Sequence, residues 1–120
     1  MMTELNPIEL TLLTGLIDKY PTFKAHLDIL KVSSRKSTGT GLLVTFEYEN
    51  SELEWDETNA LFSNEENIEI KKLKKGLNYV IDITMGKIET LEFSTYDEKW
   101  DGVIGDYKLV DKISYPEKWT

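Results

Sequence analysis

Apolar residues recur first at helical spacing and then in strict alternation. Ile8, Leu12, Leu13, Leu16 and Ile17 share one helical face. Asn6-Pro7-Ile8-Glu9 in front of them is a helix start: Asn6 can cap, Pro7 suits the first helical position, and Glu9 can close a capping box. Tyr20-Pro21 ends that helix, because the residue before a proline avoids helical geometry. Thr22 can cap a short second helix carrying Phe23, Leu27 and Leu30.

From about Ile29 the period changes to two. Leu30, Val32 and Ser34 are expected on one side of a strand, with Lys31, Ser33 and Arg35 on the other. Ser37-Thr38-Gly39-Thr40-Gly41 turns the chain, and Leu42, Val44, Phe46 and Tyr48 carry the return strand. Residues 50–66 read as a long acidic loop pinned by Leu53, Trp55, Leu61 and Phe62. A third strand begins at Ile68 and Ile70, and Lys74-Lys75-Gly76 turns it. A hairpin follows: Leu77, Tyr79, Ile81 and Ile83, then Met85-Gly86-Lys87, then Leu91, Phe93 and Thr95. Ile88 is out of phase with Leu91 and Phe93, which predicts a bulge near Glu89-Thr90. A last strand is expected from Asp106 to Ile113. The fold class is therefore α+β: two N-terminal helices packed on an antiparallel sheet of five or six strands, with a meander as the default order. One sheet face should hold the helices and the other should be polar or bind something.

The length of 120 residues fits one domain spanning 1–120. There is no cysteine, which removes disulfides, Cys-zinc sites, iron–sulfur clusters and thiol catalysis. No apolar run approaches the ~20 residues of a membrane span, and the first residues lack the pattern of a signal peptide, so the expected location is cytoplasmic. The net charge of -8, from 22 acids against 14 Lys and Arg, repels nucleic acid and anionic lipid and would draw in a basic partner.

A reactive centre is hard to assemble from this sequence. His26 is the one histidine, with no second imidazole to complete a metal site and no strand–Ser–helix elbow to build a triad around it. Thr38-Gly39-Thr40-Gly41 leads into a strand rather than a helix, so it reads as a hairpin turn and not a phosphate cradle. The acidic clusters lack the spacing of a calcium loop. Lys71-Lys72-Leu73-Lys74-Lys75 is expected to decorate an edge strand, where lysine discourages aggregation. No catalytic residue, cofactor or metal is assigned, and the protein is not expected to be an enzyme. Two segments stand out as partner contacts. The first is the acidic loop with Glu52, Glu54, Trp55, Asp56 and Glu57. The second is Tyr96, Asp97, Glu98, Trp100 and Asp101, where two large rings stand among charges.

Several motifs occur in a recognisable order: Tyr20-Pro21, Val32-x-x-Arg35, Thr38-Gly39-Thr40-Gly41, Gly76, Gly86, Ile88-Glu89-Thr90-Leu91-Glu92, Tyr96 and Trp100. Together they resemble a family of small bacterial α+β proteins, and proteins of this kind resemble the immunity proteins of bacterial toxin systems. The resemblance implies no catalytic residue or cofactor. It implies a protein partner, a cationic toxin domain being the natural one for an acidic chain. Two alternatives remain at this point. One is a small-ligand binder or enzyme with a pocket between helices and sheet, around His26 and Arg35. The other is an accessory subunit that forms a homodimer through a sheet edge.

Overall fold

The computed structural model describes residues 3–49, 58–63 and 66–111. Helix α1 spans Pro7–Lys19, and the capping box forms as its residues suggest. Asn6 Oδ1 accepts the amide of Glu9 at 3.0 Å, and the Glu9 carboxylate accepts the amide of Asn6 at 2.8 Å. Two of the amide donors orphaned at a helix start are satisfied this way. The second helix, Pro21–Asp28, is a 3-10 helix. Its buried residues are Phe23 and His26, three apart, where the expected α-helical face had paired Phe23 with Leu27. A 3-10 helix repeats every three residues, so this spacing puts both rings on one side.

Seven strands follow among the described residues: β1 Leu30–Ser37, β2 Gly41–Tyr48, β3 Ala60–Phe62, β4 Glu66–Glu69, β5 Leu77–Thr84, β6 Lys87–Thr95 and β7 Lys108–Asp111. The α+β class and the antiparallel sheet match the sequence reading, but the strand count exceeds five or six. Part of the difference is β3, which lies inside the stretch expected to be loop. Leu61 and Phe62 are strand residues there, and Phe62 is buried. The order is β1-β2-β6-β5-β4-β7, with β3 also on β5, so the sheet is not a meander. Strands β3 and β4 share one edge of β5, pairing with Ile81–Ile83 and with Leu77 respectively. The two hairpins join through β2 and β6 instead of through sequence neighbours. The lysine cluster lies in the turns between β4 and β5, not on an edge strand. Gly76 closes that connection at φ +74°, where a Cβ would stand 2.4 Å from the carbonyl oxygen of Ile68. A side chain there would be both strained and blocked.

Two bulges set which side chains face the helices. Asp82 pairs with Thr90 and Ile83 with Ile88, so Glu89 is the extra residue, as the phase slip in β6 predicts. On β1, Val32 pairs with Phe46 but Ser34 pairs with Thr45, which makes Ser33 a second extra residue. That one-residue slip reverses every later position of β1. Arg35 consequently lies opposite Val44, on the inner face, and not beside Lys31 as simple alternation predicts.

The inner face meets the helices at three places. Phe62 packs edge-on against Tyr20, Tyr48 against His26, and Arg35 pairs with Glu9. Between them Leu12, Leu13, Leu16, Val44, Leu77, Tyr79, Ile81, Leu91 and Phe93 are buried in one cluster. Among the described residues no helix is long and apolar enough to cross a membrane.

Candidate interaction surfaces

The open face of the sheet follows from the register. Cross-strand partners point to the same side, so the residues between the core positions form rows across four strands. One row reads Ser34, Thr45, Thr90, Asp82. The next reads Lys36, Leu43, Glu92, Val80. Glu47, opposite Lys31, extends the face, and both Glu47 and Glu92 are exposed. The result is a broad surface of hydroxyls, the carboxylates of Glu47, Asp82 and Glu92, the lysines Lys31 and Lys36, and two aliphatic side chains. Neither Glu47 nor Glu92 was among the partner contacts expected from the sequence. Alternation around Val44 and Leu91 was the available signal, but which strands lie side by side had to be known before the rows could be read.

The stretch from Tyr96 to Asp101 is built into the sheet end. Trp100 is 5% exposed; its indole N–H donates to the carbonyl of Val103 and its backbone amide to the carbonyl of Gly39. The ring thus ties this stretch to the β1–β2 hairpin tip. Glu98 accepts the amides of Lys74 and Lys75 at 2.9 and 3.0 Å. Those two bonds hold its carboxyl below the ordinary carboxylate range. The amide of Val103 and then the ammonium of Lys72 do the same for Asp101. Tyr96 donates its hydroxyl to Asn67 Oδ1 at 3.0 Å, while Asn67 Nδ2 donates to the carbonyl of Lys75. Asp97 is exposed at φ +65°. Of the five residues expected here as partner contacts, Tyr96, Asp97 and Asp101 reach solvent, while Trp100 and Glu98 hold the local fold. The other five, Glu52, Glu54, Trp55, Asp56 and Glu57, lie outside the described residues.

His26 and Arg35 occupy separate places. Tyr48 receives the amide of Ile88 at 2.9 Å on its phenol oxygen, and His26 Nδ1 lies 2.7 Å from the same oxygen. Burial is the main reason the Tyr48 hydroxyl is pushed up from 10 to about 12, with the nearby Glu89 charge adding to it against the Ile88 bond. The folded protein therefore holds this proton more tightly than the unfolded chain. The stabilisation is complete below pH 10 and lost as the pH climbs toward 12. Allowing for partial solvent screening, we expect the loss to be about 1–2 kcal/mol. Urea midpoints measured across this interval should fall less steeply in Tyr48→Phe than in the wild type.

Arg35 lines a cleft of about 530 Å³ that His26 does not line. Its walls are the first turn of α1, the end of β1, Leu42, and the segment from Asp101 to Tyr107. Arg35 donates Nε and Nη2 to the two Glu9 oxygens at 2.7 and 2.8 Å, and Nη2 also to the carbonyl of Glu4. The Glu9 bonds push the guanidinium pKa further up. Gly102 stands at φ +84°, where a Cβ would press to 3.0 Å on the Cβ of Ser37, so the loop passes close against β1. Among the described residues no three His, Asp or Glu side chains converge as a metal-binding group.

In comparisons with known proteins, no family model, curated protein or solved structure matches the chain.

Proposed function

We propose that the protein is a non-catalytic acidic binding module that recognises a cationic protein surface through the open face of its sheet. The observation that carries this reading is how the charges are disposed. Lys31, Arg35 and Lys72 are each paired with a carboxylate of the same chain at 2.7–2.9 Å. Glu47 and Glu92 stand exposed on a sheet face to which the described helices contribute nothing. The net charge of -8 adds a long-range attraction for a basic partner. Asp97, at the sheet end, extends the acidic surface.

The specific form of this reading is a cytoplasmic immunity protein that neutralises a cognate bacterial toxin. It rests on the motif resemblance and on charge complementarity, which speeds encounter. The test is co-expression with the product of the adjacent reading frame. Protection of cells from that product, with a complex recovered at low salt, supports it; a harmless neighbour that does not bind overturns it. The double variant Glu47→Lys/Glu92→Lys should keep its melting temperature within a few degrees, both sites being exposed. It should slow association with the partner by about tenfold or more at low salt, with the difference shrinking as salt rises. Stopped-flow association rates across a salt series check this.

A further inference from the structure

We infer that the cleft between the first turn of α1 and the Asp101–Tyr107 segment binds a small uncharged molecule that carries a carbonyl group on an apolar body. The volume of about 530 Å³ lies within the range of small-molecule sites. Its two charged lining residues each already have an ion-pair partner in the same chain. Arg35 is paired with Glu9, and Asp101 with Lys72. The lining therefore carries no net charge, in a chain of net charge -8 that disfavours a free anion.

The polar groups that remain are mainly donors. Arg35 engages Nε and Nη2 but leaves the two hydrogens of Nη1. Asn6 turns Oδ1 to the amide of Glu9, so its Nδ2 is the end left over. Ser37 Oγ accepts a long bond from the amide of Gly39, which leaves its hydrogen to give. Tyr107 supplies the counterpart. Thr11 Oγ1 donates to the carbonyl of Pro7, so the phenol of Tyr107 donates to Thr11 and keeps an acceptor site on its own oxygen. Ile8, Leu42, Val103 and Ile104 provide the apolar walls. Several donors, one phenol acceptor and an aliphatic lining fit an amide, ester or lactone. A carboxylate would bring a charge with no free cation to meet it, and an ammonium would face donors.

The experiment compares phenylacetamide, phenylacetate and phenethylammonium, which share a ring and differ in charge, by amide chemical shifts of the isotope-labelled full chain. Phenylacetamide should shift the amides of Ile8 and of Gly102 to Gly105 with about millimolar affinity. Phenylacetate and phenethylammonium should bind at least about fivefold more weakly. Val103 is 55% exposed at the rim, so Val103→Trp can fill the cleft without disturbing the core and should abolish the shifts. Absence of shifts with phenylacetamide at its solubility limit overturns the inference. So does phenylacetate binding as well as the amide, or shifts that map elsewhere in the wild type.

Discussion

Replacing Arg35 with alanine is expected to destabilise the protein by about 3–5 kcal/mol, because it strands the carboxylate of Glu9 without a cation. That carboxylate is 1% exposed, whereas the Arg35 side chain is 32% exposed. The two ends of the pair are therefore unequal. Removing the glutamate charge leaves a guanidinium that can turn to water. Glu9→Gln should accordingly cost less, about 1–2 kcal/mol, mostly from weakened bonds to Arg35 and to the amide of Asn6. Replacing both with apolar residues of similar length, Glu9→Leu with Arg35→Met, should recover most of the loss. Chemical denaturation of the three variants measures this ordering. Equal losses from the two single substitutions would contradict the unequal burial.

Trp100→Ala should cost a similar amount, about 3–5 kcal/mol, by opening a cavity at the sheet end. Against a total stability of about 5–15 kcal/mol for a domain of this kind, the melting temperature should drop by more than about 10 °C. The loss should be local in origin. The indole bond to Val103 and the backbone bond to Gly39 hold the Asp101–Tyr107 segment and the hairpin tip together. Hydrogen exchange in Trp100→Phe should therefore quicken at Gly39 and Val103 before it quickens in β5 and β6. This result separates a structural tryptophan from an exposed binding anchor. An anchor could be truncated with little change in melting temperature and a large loss of partner binding. The two bonds above, together with 5% exposure, place Trp100 in the first group. Glu98 acts at the same corner. Because its folded-state carboxyl is held below the ordinary range, its contribution is present above about pH 4 and fades as the pH falls through the depressed value.

Much of the fold was legible where local chemistry decides it. The α1 start could be read from Asn6, Pro7 and Glu9, because a capping box is made by residues three apart. The Glu89 bulge could be read from the misplaced Ile88, because the phase of burial slips inside a single strand. The Ser33 bulge left no such trace. The residues after it, Ser34 to Ser37, are polar on both sides, so no apolar residue marks the inward positions. For the same reason the pairing of Arg35 with Glu9 was not foreseen, and Arg35 was assigned to a pocket shared with His26.

Sequence by itself determined the elements that rest on neighbours in the chain: the capped helix, the Gly39 and Gly86 turns, the alternating strands and the acidic balance. Tertiary structure alone decided that β2 lies beside β6, that Arg35 reaches a buried glutamate, and that Trp100 turns inward. Each of these depends on contacts between residues far apart in the chain. Side-chain period and turn chemistry fix which way a strand faces, but not which strand comes to lie next to it.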